Sequence, residues 1–378
     1  MFNNITIRNG KPNLGLIAEN LLFYNRVNIV LDNHFLPNFI QEIGIDTLIE
    51  LIEYHNLHLF IRENMLAVSR RDNITHKAHD VVLIDPPLDK EGLIQRAMEE
   101  TGRKGYARRI TSRLVPIVKG LNYKPTFCND IREDFMNKEF MKKSISEIIN
   151  NVSSEFNISP SKIEYDFIQS DGGYYFKTNL DYEKINKRIK GNGLIEPDTI
   201  MTEIIEARSN MHFASEFNSE ITTKKLSAQL MKSRFDTVQK TQKSSENIFA
   251  FNDFALDGKN IQSIINSGQK SMSDFIPILQ KAEKFKNWLY EIESDKSIIK
   301  EYHNAVIKEN WVDKLPSKTY RWSFFTVLSA VVEAQIKTNI ALPMTLGLSL
   351  GDAFLVDKLF RGWKPSIYIE NEVKPFVE

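Results

Sequence analysis

Helical and strand-like patterns alternate along the first 90 residues, and this alternation constrains the fold more than any other feature. Two segments have the spacing of amphipathic helices, NLGLIAENLLFY and FLPNFIQEIGIDTLIELIEYH. Three short runs have the composition of strands, RVNIVLD, LHLFIREN and DVVLIDPP. Strands that alternate with helices usually pair in parallel. The sequence therefore predicts an α/β unit over residues 1–90, with a short and partly parallel sheet.

The rest of the chain predicts two further regions, which gives an α+β class overall. Residues 91–192 combine helices with a β-hairpin, in which two alternating runs flank Asp171-Gly172-Gly173. Beyond Gly193 the spacing is helical and no run is typical of a strand. We therefore expect a helical domain over residues 193–378, with a helix beginning near Pro197.

Composition removes several classes of protein. The 49 basic and 49 acidic residues balance, so the whole chain gives no reason to expect nucleic acid or an anionic membrane as a partner. The single cysteine, Cys128, excludes an internal disulfide and a cysteine-rich zinc site, and it is typical of a reducing cytoplasm. The N-terminus has no basic region followed by an apolar run, so we expect a cytoplasmic protein.

Known catalytic motifs are also missing from the sequence. The chain contains no P-loop, no GxGxxG after a strand, no GxSxG elbow and no HExxH helix. A nucleotide-driven motor, a Rossmann dehydrogenase, an α/β-hydrolase and a zincin are therefore poorly supported, and no cofactor is evident. Any catalysis would use a site whose residues are dispersed along the chain.

Four acidic residues in or near the α/β unit suggest a metal-dependent nuclease. Asp32 and Asp85 end two predicted strands, and Glu42 and Glu63 lie where they could complete a cluster. The carboxyl ends of strands are the usual site-forming edge of an α/β sheet, and carboxylates bind Mg²⁺. The sequence predicts catalysis by these four residues, with Asp32 and Asp85 as metal ligands. The alternative is that they are helix caps and turn residues.

A basic segment, GRKGYARRITSR, predicts a cationic helix. Residues four apart on this helix form two stripes of positive charge, which could bind nucleic-acid phosphates without sequence specificity. Glu99 and Glu100 just upstream favour the alternative of a solvated face with internal ion pairs. The cations are Arg103, Lys104, Arg108, Arg109 and Arg113.

The motif RRDNITH resembles the active-site signature of HEPN ribonucleases, with Arg71, Asp72 and His76 on the matching positions. The resemblance implies action on a ribose hydroxyl and the scissile phosphate, from one face of a helix. In this chain the motif falls between two predicted strands, which favours a solvated loop. His55, His58, His76 and His79 have short spacings that could suit zinc, but no cysteine accompanies them.

The most apolar stretch runs from Phe324 to Phe360. Its two uncharged runs, residues 322–332 and 338–351, are shorter than the roughly 20 residues that a spanning helix needs, so two buried helices are favoured over a membrane hairpin. Gly347 and Gly351 lie four apart and would allow close helix packing. Trp363, Tyr368 and Phe376 have the character of interface anchors.

These patterns favour an interaction or effector protein that works by assembling with itself or with a protein partner. A bacterial defence or toxin-like system is the predicted context. Two alternatives remain open at this point: the Mg²⁺-dependent nuclease, and a membrane-perturbing effector that uses residues 322–360. The basic helix could also bind nucleic acid. No contact with a membrane is expected at rest.

Overall fold

The computed structural model describes residues 3–8, 13–72, 77–85, 88–102, 104–152, 156–170, 173–189, 194–232, 236–256, 259–291 and 365–378. The chain divides into two compact units, one of residues 3–243 and one that includes residues 244–378. The first unit contains a parallel and an antiparallel sheet together with helices, which confirms the α+β class. The predicted boundaries near residues 90 and 192 fall inside this unit, because strands on both sides of each boundary pair with one another.

Five strands form an all-parallel sheet. The strands β2 and β3 match two of the runs that the sequence indicated, whereas the other three have only three or four residues, too few for a recognisable pattern. Their order across the sheet is β6-β3-β2-β1-β9. The strands are β1 (Asn4–Ile7), β2 (Arg26–Leu31), β3 (Leu57–Arg62), β6 (Lys119–Leu121) and β9 (Glu220–Thr222).

Four strands form an antiparallel sheet in the order β4-β5-β8-β7. The predicted hairpin is confirmed: its two strands pair from Tyr165 opposite Thr178 to Ser170 opposite Gly173. The strands are β4 (Met65–Asp72), β5 (Lys77–Ile84), β7 (Tyr165–Ser170) and β8 (Gly173–Thr178).

Helices surround the two sheets in the first unit. The helix at Pro197 begins as predicted, with proline at a position that needs no backbone donor and Asp198 in the first turn. The helices are α1 (Leu14–Phe23), α2 (Leu36–Ile43), α3 (Ile45–Tyr54), α4 (Lys90–Glu99), α5 (Lys104–Leu114), α6 (Phe127–Met136), α7 (Lys138–Val152), α8 (Tyr182–Asn186), α9 (Pro197–Glu216), α10 (Lys225–Lys232) and α11 (Asp236–Ala255), which extends past residue 243.

The described part of the second unit is helical. Its best-defined helix start is a capping box, in which Ser271 and Asp274 each accept a hydrogen bond from the other's backbone N–H. The elements are α12 (Ile261–Asn266), α13 (Met272–Gln280), α14 (Glu283–Glu291), α15 (Pro365–Tyr368), a π-helical turn (Ile369–Val373) and α16 (Lys374–Val377).

The pleat of the parallel sheet decides which side chains meet α9. Val30 and Phe60 belong to the same buried cluster as Ile204 and Phe213 of α9. Side chains two positions apart on a strand share a face. The face that contacts α9 therefore ends in the side chains that follow Val30 and Phe60 by two residues, Asp32 and Arg62.

We expect Gly173 to be required where β8 joins β5. Its φ is +151°, and an added Cβ would lie 2.7 Å from the carbonyl oxygen of His79. The variant Gly173→Ala should therefore lose about 1–3 kcal/mol of stability. All four tryptophans lie beyond residue 280, so tryptophan fluorescence does not report on this part of the chain. Hydrogen exchange of the β5 and β8 amides is therefore the suitable measurement.

The matched control is Gly105→Ala on α5, where an added Cβ meets no atom within 4 Å. This change should leave stability unchanged or raise it by about 0.5–1 kcal/mol, because alanine favours helix over glycine. Equal protection of the β5 and β8 amides in both variants would contradict the account of Gly173.

Candidate functional site

A cavity of about 260 Å³ lies at the carboxyl ends of the parallel strands. Three of its lining residues come from the ends of adjacent strands: Arg8 follows β1, Asp32 follows β2, and Arg62 ends β3. Lys224 contributes from just beyond β9. The strands run in parallel, so their carboxyl ends meet at one edge, which is where ligands bind in open α/β sheets.

The opposite wall of the cavity is one face of α9. Thr202, Ile205, Glu206 and Ser209 line it, and their spacing of three, four and seven residues places them on one side of a helix. Val30 and Leu66 add apolar surface. The cavity therefore combines charged strand ends with a mixed polar and apolar helix face.

Asp32 and Arg62 form an ion pair inside the cavity, through Oδ1 of Asp32 and Nε of Arg62. Burial alone would lower the pKa of Arg62, but the charge and the hydrogen bond of Asp32 outweigh it, so the pKa is raised. Arg62 therefore stays charged, and Asp32 has its negative charge committed to a neighbour.

Arg8 is held differently, by neutral groups. Its Nη1 donates hydrogen bonds to Oδ1 of Asn210 at 2.7 Å and to the carbonyl of Glu206 at 3.3 Å, and its guanidinium lies 5.2 Å from the centre of the Phe213 ring. Burial has the largest effect and lowers the pKa of Arg8; Tyr123 raises it, the nearby charge of Arg62 lowers it, and Asp32 and Glu206 raise it more weakly. Among the described residues Arg8 contacts no carboxylate, so its charge is not directly paired.

Lys224 and Glu206 form a second ion pair in the cavity, with Nζ 3.3 Å from Oε2. The lining thus contains three cations, Arg8, Arg62 and Lys224, and two carboxylates, Asp32 and Glu206, which leaves an excess of one positive charge. One turn away on α9, burial and the charge of Glu206 raise the pKa of Glu203.

Ser209 gives a second indication of a ligand. It is 1% exposed, it lines the cavity, and its hydroxyl makes no hydrogen bond to any residue that the structure describes. An unsatisfied buried hydroxyl costs about 1–3 kcal/mol. Such a group calls for an explanation, and a ligand oxygen in the cavity would supply the missing partner.

The four predicted acidic residues do not come together. Asp32 and Glu63 lie at the same edge of the parallel sheet, whereas Glu42 is exposed on α2 and Asp85 is exposed at the end of β5 in the other sheet. Within the described residues, no three Asp, Glu, His or Cys side chains are placed to share a metal ion. Asp32 is paired with Arg62, so the geometry gives Mg²⁺ no support here.

The predicted basic helix forms as α5, and Arg103 lies outside the described residues. Lys104, Arg108, Arg109 and Arg113 are all exposed. This surface belongs to α5 and shares no residue with the lining of the cavity.

The described residues of the HEPN-like motif lie in a strand and not on a helix. Arg71 and Asp72 end β4, and His76 lies outside the described residues. Of the other histidines, His55 ends α3, His58 is in β3, and His79 is in β5, where its Nε2 lies 2.6 Å from Oδ1 of Asp198. The described histidines therefore form no common metal site.

Two predicted interface anchors are core residues of the second unit. Tyr368 is 3% exposed and donates a hydrogen bond to the carbonyl of Ile278 at 2.9 Å, and Phe376 packs against Phe275. Gly347, Gly351, Trp363 and the predicted hairpin 322–360 lie outside the described residues. Among the helices that the structure describes, none has the length and apolarity needed to cross a membrane. Assembly stays a prediction.

A polar row crosses the amino-terminal half of the parallel sheet. Ser219 and Thr6 share a hydrogen bond of 2.6 Å, Asn28 donates to Thr6 at 3.4 Å, and Arg26 donates to Asn28 at 3.0 Å. The row continues to Nδ1 of His58, which faces Arg26 at 3.3 Å and Lys119 at 3.5 Å. Arginine and lysine only donate hydrogen bonds, so His58 must accept, which requires an unprotonated Nδ1.

Comparison with known protein families, with curated proteins and with solved structures gave no match for this chain. The site must therefore be judged from its own geometry. The sequence drew attention to the edge where the cavity lies through Asp32 but did not indicate Arg8, Arg62, Glu206 or Lys224. Arg62 ends the predicted run LHLFIREN, which was the available signal for it, whereas Arg8 follows β1, a strand of four residues that the sequence patterns did not indicate. No local signal marked Glu206 or Lys224.

We expect removal of the Asp32 charge to destabilise the first unit. The variant Asp32→Asn leaves the partly buried Arg62 without its counter-ion, which should cost about 2 kcal/mol. The control is Asp46→Asn, which breaks the pair between Arg113 and an aspartate whose side chain is 84% exposed. That change should cost at most about 0.5 kcal/mol. Urea unfolding followed by circular dichroism measures both, and equal losses would contradict the assigned difference.

His58 should make stability depend on pH. Burial, with the charges of Arg26 and Lys119, lowers the pKa of His58 to about 4 from 6.5. A lowered pKa in the folded state gives stability that is present above about pH 6.5 and is lost as the pH falls towards 4. Because His58 is only partly buried, we expect its contribution between about pH 7 and pH 5 to be on the order of 1 kcal/mol.

The measurement is the free energy of unfolding at both pH values for the native chain and for His58→Gln, which can still accept a hydrogen bond but cannot be protonated. The variant should lose less stability on acidification. An identical loss would show that other groups cause the pH dependence, His79 and His212 among them, because burial lowers their pKa values too.

Proposed function

We propose that the first unit binds a small anionic molecule, through a phosphate or carboxylate group, in the cavity between the parallel sheet and α9. The observation that supports this most directly is Arg8, a partly buried guanidinium that lines the cavity and contacts neutral partners. An uncompensated charge away from water is costly. An anionic ligand would offset that cost.

The neighbours of Arg8 support the same charge for the ligand. Arg62 is close enough to lower the pKa of Arg8. Among the described residues, Asp32 is the one carboxylate that forms an ion pair with either arginine, and it pairs with Arg62. Both hydrogen bonds that Arg8 makes to described residues use Nη1. The planar fork of an arginine suits two oxygens of a carboxylate or phosphate. A bound anion would thus bridge the guanidinium groups of Arg8 and Arg62.

The size and lining of the cavity limit the rest of the ligand. Drug-sized ligands occupy about 300–1,000 Å³, and this cavity of about 260 Å³ suits a smaller molecule. Ser209 offers a hydroxyl group without a partner among the described residues, and Val30, Leu66 and Ile205 offer apolar contact. A compact phosphate ester or a short dicarboxylate has the matching combination of charge, polar atoms and carbon skeleton.

The test is calorimetric titration of the full chain with inorganic phosphate, glycerol phosphate, succinate and a neutral polyol. We expect at least one of the anions to bind and the polyol not to bind. Binding to Arg8→Met should be at least about tenfold weaker, because a charge-assisted hydrogen bond is worth about 1.5–3 kcal/mol. Comparing the affinities for the two phosphates with the affinity for succinate shows whether the cavity prefers a phosphate or a carboxylate group.

Two further variants make the result decisive. Lys224→Met removes an exposed cation of the cavity without touching the two partly buried arginines, so it should fold normally and still weaken binding. Arg96→Met removes an exposed cation of α4 that does not line the cavity, and it should bind normally. Failure of every anion to bind, or equal weakening by Lys224→Met and Arg96→Met, would sink the proposal.

A further inference from the structure

The outer surface of α5 has a composition that helix stability does not explain. Ala107, Ile110, Thr111 and Leu114 are buried on the inner side of the helix. The remaining described positions are exposed: Lys104, Gly105, Tyr106, Arg108, Arg109, Ser112 and Arg113. At 100° per residue these positions form one continuous outward face, with Gly105 and Ser112 near its centre and an arginine on either side. The face contains four cations and no carboxylate.

The cations on this face are arranged in repelling pairs. Lys104 and Arg108 are four residues apart, as are Arg109 and Arg113, so each pair is separated by about 6 Å along the axis. Like charges at this spacing destabilise a helix by about 0.2–0.5 kcal/mol per pair. The pattern therefore reduces the stability of α5, and an anionic partner would reverse that effect.

Few of these cations are neutralised within the protein. Arg113 pairs with Asp46 at 2.6 Å. The nearby carboxylate of Glu99 accepts a hydrogen bond from Gln95. Lys104, Arg108 and Arg109 form no ion pair with any residue in the described part of the chain. These three charges are therefore open to an external partner. Their lack of ion pairs argues against the alternative that internal ion pairs neutralise this face.

Tyr106 indicates which polyanion suits the face. It is 37% exposed, and the guanidinium of Arg109 lies 5.8 Å from its ring centre. Exposed aromatic rings among cations are typical of proteins that bind single-stranded nucleic acid, because bases stack on the ring while the cations contact phosphates. A membrane-surface helix would instead present several large apolar side chains, and Tyr106 is the only large ring on this face.

We propose that this face of α5 binds single-stranded nucleic acid, with Lys104, Arg108 and Arg109 on the phosphates and Tyr106 stacked on a base. Binding is independent of sequence, because none of these contacts reads a base edge. The proposal does not depend on the anion-binding cavity, since the two sets of residues do not overlap.

The test uses the full chain and fluorescence anisotropy with labelled oligo(dT) and oligo(U) of about 20 nucleotides, and a duplex of equal length, at about 50 and 200 mM KCl. We expect single strands to bind more tightly than the duplex. The slope of log affinity against log salt should be about −2, from roughly three phosphate contacts. Tyr106→Ala should weaken binding about fivefold or more.

The decisive comparison is between two double charge reversals of equal size. Arg108→Glu with Arg109→Glu should abolish measurable binding, whereas Lys187→Glu with Arg188→Glu, at two adjacent exposed cations after α8, should leave it nearly unchanged. Circular dichroism checks that both variants fold. Absence of binding at low salt, equal losses in the two double variants, or single-strand binding that is insensitive to Tyr106→Ala would each overturn the proposal.

Discussion

The parallel alignment of β1, β2 and β3 is the constraint on which the rest of the site depends. Parallel strands bring their carboxyl ends to one edge, and the period of two along each strand then selects one face. Arg8, Asp32 and Arg62 reach the cavity for these two reasons together. α9 completes the cavity because Val30 and Phe60, which precede Asp32 and Arg62 by two residues on the same face, are buried with the apolar side chains of α9.

The charge that the cavity favours is set by pairing between residues. Asp32 by itself is typical of a cation site, but beside Arg62 it becomes the counter-ion of a guanidinium. The same edge that the sequence marks as a carboxylate site therefore has an excess of positive charge. The net charge at this edge therefore depends on the strand order, because Asp32 can pair with Arg62 only when β2 and β3 are neighbours in the sheet.

Sequence patterns predicted the longer elements well and the short ones poorly. The hairpin of β7 and β8 was predictable because its two strands alternate for six residues each around a glycine turn. β9 has three residues and lies among helical patterns, so no periodicity could show it. Its pairing with β1 joins residues more than 200 positions apart, and this long-range contact brings Lys224 to the cavity. Tyr368 looked like an interface anchor because composition does not distinguish a core from a contact surface.

The α+β class, the hairpin, the start of α9 and the basic character of α5 were predictable from local sequence patterns. All four follow from local rules: hydrophobic period, turn residues, helix caps and the charge of neighbouring positions. Three other features became visible only in the folded chain: Arg8, Arg62 and Lys224 line one cavity, Asp32 pairs with Arg62, and three cations of α5 make no ion pair within the described residues. These are contacts between residues distant in sequence, and they depend on strand order and packing, which local patterns do not encode.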